Sequence, residues 1–174
     1  MALPKQYTRQ PGSLARSLEV VGERWTLLII RDAFYGARRF GDFVGHLGIP
    51  RAVLTNRLLH LVEHGVFAKA LASGSGYAEY ELTSKGRQLW TVIYGLIRWG
   101  DEHYADAGAP RVFEHAADGG RIDAYSRCAR CGQSVDVHDI QAVPGPGFVP
   151  PESQDALTVA MLQPRRLLEP LRKL

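Results

Sequence analysis

One short segment carries hydrogen-bonding side chains that suit contact with DNA bases: Arg51, Thr55, Asn56 and Arg57. In the major groove arginine pairs with guanine and asparagine with adenine, and each good pair discriminates between bases by about 1–3 kcal/mol. We therefore expect Arg51 and Asn56 to contact bases, with Thr55 beside them and Arg57 closer to a phosphate. His60 is a weaker candidate for the same surface. The alternative interpretation is an ordinary solvated helix face.

Arg38 and Arg39 form a second basic feature shortly before this segment. Arginines near the N-terminus of a helix bind phosphate readily, so we expect this pair to hold the DNA backbone. The alternative is a pair of exposed loop charges that serves solubility. For Lys69, Lys85 and Arg87, phosphate contact and simple solvation are equally good interpretations.

Cys128 and Cys131 have the CxxC spacing of half a zinc knuckle. A structural zinc site needs four ligands, and His115 and Asp118 offer two more at a similar spacing. Zinc accepts a carboxylate oxygen, although thiolate and imidazole are its commoner structural ligands. Zinc is therefore the candidate cofactor of this region. The alternatives are a ribbon without metal, a redox-active thiol pair, and a ligand set in which Asp136 or His138 takes a place.

Hydrophobic periodicity predicts the elements that position these side chains. Four helices are expected at about 14–21, 23–35, 40–47 and 50–64, with Ser13 as the N-cap of the first. Two strands follow at about 66–72 and 77–83 around the SGSG loop at 73–76, and a long helix runs from Thr83 or Ser84 to Tyr104. This order is a winged helix-turn-helix, a mainly α fold with a small β wing.

The last predicted helix has more apolar surface than one small domain needs. One wide face carries most of it: Leu89, Val92, Ile93, Leu96, Ile97 and Tyr104. Such a face is usually buried against a partner, and a symmetric homodimer is the simplest case. Trp90, Tyr94 and Trp99 would also suit a flat aromatic effector at the dimer cleft, which is a weaker alternative to packing.

The chain divides into three parts by composition. We expect a flexible lead at 1–12, a DNA-binding and dimerisation domain at 13–104, and a C-terminal appendage at 105–174 that is rich in Gly, Pro and Asp. In the appendage the sequence predicts a zinc-ribbon-like hairpin at 112–140 with the CxxC at its tip, a Pro/Gly linker at 142–154 and an amphipathic tail at 155–174. Residues 1–104 hold 13 Lys/Arg and 9 Asp/Glu, whereas residues 105–174 hold 8 and 9, so the basic excess lies with the DNA-binding part.

Three ordered segments resemble one family: GERWTLLIIRDAFYGARRFGDF, LTNRLLHLVEHGVF and YELTSKGRQLWTVIYGLIRWGDEH. They are similar to the HxlR-type winged-helix transcription regulators, relatives of the MarR group, over about residues 13–103. The resemblance implies transcriptional regulation by a homodimer on a pseudo-palindromic operator, with the first and last helices of the core forming the dimer. Many members carry a cysteine just before the first helix, which in some of them senses oxidants or electrophiles, and many have a basic wing tip. Gly12 and Ser13 stand in place of that cysteine here, and SGSG is an uncharged wing.

Composition and motifs exclude several other classes. The chain is 45% hydrophobic and 22% charged, as globular proteins are. No apolar run approaches the roughly 20 residues of a membrane span, and residues 1–13 lack the apolar core of a secretion signal, so we expect a cytoplasmic protein with no membrane partner. Its two cysteines are then expected to be thiols or metal ligands.

No phosphate-binding glycine loop, HExxH motif or nucleophile elbow occurs, so we do not expect an enzyme. Two rival functions stay open. One is a winged-helix module that binds proteins and has no specific DNA site. The other is a zinc-dependent enzyme that uses the histidine, aspartate and cysteine cluster of the appendage.

Overall fold

The computed structural model describes Tyr7 and residues 9–71, 76–150, 152 and 154–171. Four helices come first: α1 (Ser13–Val21), α2 (Thr26–Phe34), α3 (Phe40–Leu47) and α4 (Arg51–Glu63). The antiparallel strands β1 (Phe67–Leu71) and β2 (Ala78–Leu82) follow, and then α5 (Ser84–Arg87) and α6 (Trp90–Tyr104). The predicted winged helix-turn-helix is confirmed. Most of the predicted lead at 1–12, and residues 73–75 of the predicted wing loop, lie outside the described residues.

The starts of three helices differ from the prediction. Gly12, and not Ser13, is the N-cap of α1. Helix α2 begins at Thr26 instead of Glu23, because Trp25 has a left-handed backbone (φ 79°) that a right-handed helix cannot contain. Pro50 lies just outside α4 as its N-cap. The predicted elements are therefore present: α1 starts one residue earlier than predicted, and α2 and α4 start later.

The helix predicted from residue 83 or 84 to 104 is interrupted after one turn. The Thr83 side chain caps α5, as expected, by accepting a hydrogen bond from the Gly86 N–H at 3.1 Å. At Gly86 a Cβ atom would lie 2.2 Å from the carbonyl oxygen of Val66, so only glycine allows this turn to pack beneath the wing. Gln88 and Leu89 then separate α5 from α6.

The helix-turn-helix is held by one buried stripe. Leu54, Leu58 and Leu61 recur at helical spacing on α4 and are fully buried. Gly48, in a left-handed conformation (φ 60°), ends α3, and Ile49 enters the core from the turn. Because one face of α4 is committed to the core, the opposite face of the helix must lie on the surface.

The appendage contains a second antiparallel sheet. Its strands are β3 (Arg111–His115), β4 (Ile140–Pro144) and β5 (Arg165–Arg166), in that order. Strands β3 and β4 pair with each other, and the CxxC lies in the segment between them. The predicted linker at 142–154 begins too early, since residues 142–144 pair with β3. The predicted tail forms α7 (Ala156–Ala160) and β5, and residues 172–174 of it lie outside the described residues.

The tail returns to the end of α2. The backbone N–H groups of Leu168 and Leu171 donate to the carbonyls of Phe34 and Gly36, at 2.6 and 3.2 Å. At Gly36, whose φ is 101°, a Cβ would lie 2.1 Å from the carbonyl oxygen of Glu169. The buried core is consequently continuous across the boundary that we place at residue 104.

Aromatic rings make a further contact between the two parts. Phe113 of β3 packs against Trp90 and Tyr94 of α6, with ring centroids 5.2 and 5.3 Å apart. The Tyr94 hydroxyl donates to the carbonyl of Ile122 at 2.5 Å, and burial raises the pKa of this phenol. Across the described ranges, no helix is both long and apolar enough to cross a membrane.

Candidate functional site

The exposed face of α4 carries three of the predicted base-contacting residues. All three are exposed; at helical spacing Asn56 lies opposite the buried leucine stripe, and Arg51 and Thr55 flank that stripe. The Thr55 hydroxyl donates to the Arg51 carbonyl at 3.0 Å, and the Arg51 guanidinium lies over the ring of Phe40, 5.8 Å from its centroid. The structure thus places a guanidinium, a hydroxyl and a carboxamide together on one convex surface.

Arg57 and His60 lie at the edge of this face. The Arg57 side chain is only 16% exposed and lies 3.8 Å from the Glu23 carboxylate. The His60 ring is half-buried and lies 4.2 Å from the ring of His64. Both predicted residues are therefore less available to a ligand than Thr55 and Asn56.

Arg38 and Arg39 have acidic partners that the sequence reasoning missed. Arg38 forms an ion pair with Glu81, and the Arg39 Nε donates to Glu79 at 3.2 Å. The pairing arises because residues 38–39 run beside β2, where the Tyr80 N–H donates to the Arg38 carbonyl at 2.8 Å. The alternation of β2 indicated that both glutamates are on its outer face, but no local pattern indicated what lies beside them.

The other basic residues near the wing differ in their contacts. The Lys85 ammonium donates to the His64 carbonyl at 2.7 Å, and Arg87 donates to the Leu82 carbonyl at 2.9 Å. Both side chains therefore brace the end of α4 and the wing. Lys69 lies exposed on β1.

A buried carboxylate fixes the helix that precedes the turn. Asp32 of α2 is fully buried and accepts hydrogen bonds from Arg31, at 2.7 and 3.0 Å, and it contacts His46 of α3, at 2.7 Å. Since a buried carboxylate is stable only when it is paired, this network sets the position of α3 relative to α2. In the sequence these two residues stand out only as polar side chains within an apolar segment.

The four predicted metal ligands converge in the appendage. The ligand atoms of His115, Asp118, Cys128 and Cys131 all lie within 4.8 Å of one another. The two thiols are 3.6 Å apart, and the Cys128 thiol donates to the Asp118 carboxylate at 3.2 Å. Asp136 instead caps a 3₁₀ turn by accepting from the His138 N–H at 2.9 Å, so neither of these alternative ligands joins the cluster.

The ionisation of the cluster reflects these contacts. The Gly120 N–H donates to Asp118 at 2.8 Å and, with the thiol hydrogen bonds, lowers the pKa of this carboxyl to about 2. The Gln133 N–H favours the thiolate of Cys131, but desolvation, the Cys128 thiol and the Asp118 carboxylate outweigh it and raise the pKa of Cys131. These contacts therefore favour the ionised carboxylate of Asp118 and disfavour the thiolate of Cys131.

Comparison with known proteins identifies the fold around the α4 surface. The family model described as HxlR-like helix-turn-helix matches residues 20–107, half of the chain, and this range includes both helices of the turn and the wing. The chain belongs to the HxlR-like helix-turn-helix family. It is accordingly a DNA-binding transcriptional regulator, as the resemblance implied.

Two relatives extend the likeness of this HxlR-like chain beyond the family domain. The uncharacterized HTH-type transcriptional regulator Rv3095 of Mycobacterium tuberculosis is 44% identical over 138 residues, which are 78% of this chain and 87% of the relative. The crystal structure of PA1607 shares 32% identity with a TM-score of 0.54, covering 84% of this chain and 93% of that one. The uncharacterized HTH-type transcriptional regulator YvaP of Bacillus subtilis is 27% identical over 89 residues, which are 50% of this chain and 82% of the relative. The two longer matches show that the appendage is in part shared.

The last helix of the HxlR-like domain has two apolar faces instead of the single wide face that was predicted. Trp90, Ile93 and Tyr94 are buried within the chain. Val92, Leu96 and Trp99, at helical spacing, are each about half exposed (49%, 49% and 52%). The wide face is thus divided between the chain's own core and its surface.

The three aromatic residues considered for an effector do not share a cavity. Trp90 lines a cleft of about 660 Å³ between the α5–α6 junction and residues 134–138 of the appendage. Tyr94 lines a different cleft, of about 290 Å³, beside Arg98 and Arg121. Trp99 packs on the surface against His103 and Tyr104.

Proposed function

We propose that the chain is a sequence-specific regulator that reads DNA as a homodimer, with α4 in the major groove and Arg51 and Asn56 on base edges. The observation that carries this proposal is the joint exposure of Arg51, Thr55 and Asn56 on the part of α4 that the buried leucines leave at the surface. Within the described ranges the Asn56 carboxamide has no hydrogen-bond partner, so its donor and acceptor are both available to adenine.

Arg38, Arg39 and Arg57 are proposed to hold phosphates at the rim of this contact. Each already has a carboxylate neighbour, but a guanidinium has five N–H donors, and the Arg39–Glu79 contact is made through Nε. The remaining N–H groups can donate to a phosphate while the glutamate orients the side chain. The cost is that nearby carboxylates repel the same phosphate.

The exposed face of α6 supports the homodimer. Val92, Leu96 and Trp99 form an apolar stripe, and α1 adds Leu14 and Leu18, also exposed. Covering such a stripe removes apolar surface from water, which drives association. A two-fold dimer would place its two recognition helices about 34–36 Å apart, so the operator should contain two half-sites one DNA turn apart.

We place the response to an effector at the dimer cleft or in the appendage. The support is the aromatic contact of Phe113 with Trp90 and Tyr94, through which a change in the appendage would reach α6. A regulator of bacterial DNA works in the cytoplasm, and we propose that location. Nothing in the arrangement of described residues favours an enzyme over this role.

The full chain is first used to select the DNA sequences that it binds from a random pool, and the enriched sequence serves as the operator in the test. Asn56→Ala and Arg51→Ala should each weaken operator binding by about 5–150-fold in fluorescence anisotropy, because each removes about 1–3 kcal/mol of base discrimination. Binding to a shuffled duplex should hardly change. Gln154→Ala and Arg166→Ala are matched controls in the appendage and should bind as the unaltered chain does.

Two results would reject the assignment. If both α4 variants bind the operator as tightly as the unaltered chain, Arg51 and Asn56 do not read bases. If the random pool yields no enriched sequence at all, the result favours the alternative function, a winged-helix module that binds proteins and has no specific DNA site. Repeating the titration at several salt concentrations separates base contacts from phosphate contacts, since only loss of phosphate contacts changes the salt dependence.

A further inference from the structure

We propose that His115, Asp118, Cys128 and Cys131 form a closed, tetrahedral zinc site that fastens the appendage fold. This site is independent of the proposed DNA contacts, since it lies on a separate sheet. Its four ligands come from three places in the chain: the end of β3, the turn after it, and the CxxC. A bound ion would therefore cross-link the end of β3 and the turn after it to the CxxC, 10 to 16 residues further along the chain.

The spacing of the ligand atoms matches zinc. A tetrahedral ion with bonds of about 2.3 Å to sulfur and about 2.0–2.2 Å to nitrogen and oxygen separates its ligands by about 3.8 Å for S–S, about 3.6 Å for S–N and S–O, and about 3.4 Å for N–O. The corresponding separations here are 3.6 Å for Cys128–Cys131, 3.7 Å for Cys131–His115, 3.2 Å for Cys128–Asp118 and 3.4 Å for His115–Asp118. Little movement is needed to admit the ion.

Backbone groups around the cluster also hold the Cys128 sulfur and the CxxC turn in place. The Arg130 N–H donates to the Cys128 sulfur at 3.4 Å, and the Gly132 N–H closes the knuckle on the Cys128 carbonyl at 2.8 Å. At Gly120 a Cβ would lie 2.3 Å from the Cys128 sulfur, so only glycine fits at this position. Such hydrogen bonds to the ligands orient them and tune the ion.

Ligand number and charge indicate a structural role. Four protein ligands leave no open position for substrate or water, unlike a catalytic zinc site. Two thiolates, one carboxylate and a neutral imidazole around Zn²⁺ leave a charge of −1, and the Arg130 guanidinium lies beside it, donating to the Asp118 carbonyl at 2.5 Å. The segment also carries Ile122, whose carbonyl accepts from Tyr94, so the ion would stabilise the surface against which α6 packs.

The experiment measures metal on the full chain purified under reducing conditions. We expect one zinc per chain by elemental analysis. Replacement by cobalt should give the intense visible bands of a tetrahedral ion together with thiolate-to-cobalt charge transfer. This measurement needs no variant. Cys131→Ser should weaken metal binding by more than about 100-fold, beyond the roughly 10–100-fold that loss of an outer-shell partner costs. Asp118→Cys should bind at least as tightly and add charge-transfer intensity.

His64→Ala is the matched control, because His60, Glu63 and His64 form the other group of metal-ligand atoms found among the described residues. It should retain the full zinc content. The proposal is overturned if the chain retains no metal after incubation with zinc, or if the cobalt spectrum lacks thiolate bands. It is also overturned if Cys131→Ser folds and keeps its zinc, or if His64→Ala loses its zinc. A metal-free chain with a Cys128–Cys131 disulfide would instead establish the redox pair.

Discussion

Removing the carboxylates beside Arg38 and Arg39 should strengthen DNA binding. The perturbation is the double substitution Glu79→Gln with Glu81→Gln, which keeps size and hydrogen-bonding capacity but removes two negative charges. If the arginines contact phosphate, each carboxylate now opposes that contact by neutralising its partner and by repelling the DNA. If they only tether the wing, the substitutions should leave DNA binding unchanged or weaken it.

The magnitude follows from the exposure of the two pairs. Side-chain exposure is 29% and 48% for Arg38 and Glu81, and 34% and 21% for Arg39 and Glu79. Such partly exposed pairs are worth about 0.2–1 kcal/mol each. Freeing both arginines should therefore raise affinity by about 2–30-fold, if the two effects add. The salt dependence should steepen by up to about 1.8 in log–log slope, because each newly uncovered contact adds about 0.9.

The assay is fluorescence anisotropy on operator and on shuffled DNA at four salt concentrations. Affinity for both duplexes should rise in parallel, since phosphate contacts carry no sequence information. The matched control is Glu152→Gln with Asp106→Asn, which changes net charge equally at exposed positions away from the wing. An equal rise in the DNA affinity of the control would show that the effect comes from net charge alone. An unchanged slope in a folded Glu79/Glu81 variant would refute phosphate contact by these arginines.

Two further predictions concern stability and assembly. Asp32→Ala should lower the free energy of unfolding by about 3–5 kcal/mol in urea titrations, because it leaves Arg31 and His46 without their buried partner. Asp106→Ala, at an exposed site, should change it by less than about 0.5 kcal/mol, and similar losses in the two variants would show that the buried network contributes little. Leu96→Glu should convert the dimer to monomer in analytical ultracentrifugation, since it places a charge in the proposed interface, whereas Val149→Glu, at an even more exposed apolar side chain in the appendage, should not. A dimeric Leu96→Glu protein would place the interface elsewhere.

The sequence was most informative where structure depends on local pattern. The leucine spacing on α4 predicted both its buried stripe and the exposure of Arg51, Thr55 and Asn56, because helical periodicity alone decides which side chains share a face. The Thr83 cap and the alternation of β2 were predictable for the same reason. The CxxC spacing predicted a knuckle that holds two thiols together, and the metal that it would bind stays a prediction.

Long-range contacts could not be predicted in this way. Glu79 and Glu81 meet Arg39 and Arg38 across about 40 residues, and the tail meets Phe34 and Gly36 across more than 130. Nothing in the local composition of 155–171 distinguishes a strand that returns to α2 from a detached amphipathic tail. The backbone of Trp25 was equally unpredictable, since a left-handed tryptophan is rare and is held by its surroundings.

The sequence by itself therefore determined the order of elements, the face of α4 that reaches solvent, and the residue types available to DNA and to a metal. Only the tertiary structure decided which charges are paired, how the apolar surface of α6 is divided between the core and the exterior, and that four ligand atoms from separate turns converge. The physical reason is that periodicity and capping act within a few residues, whereas ion pairs, ring contacts and metal ligation depend on distances that only the folded chain sets.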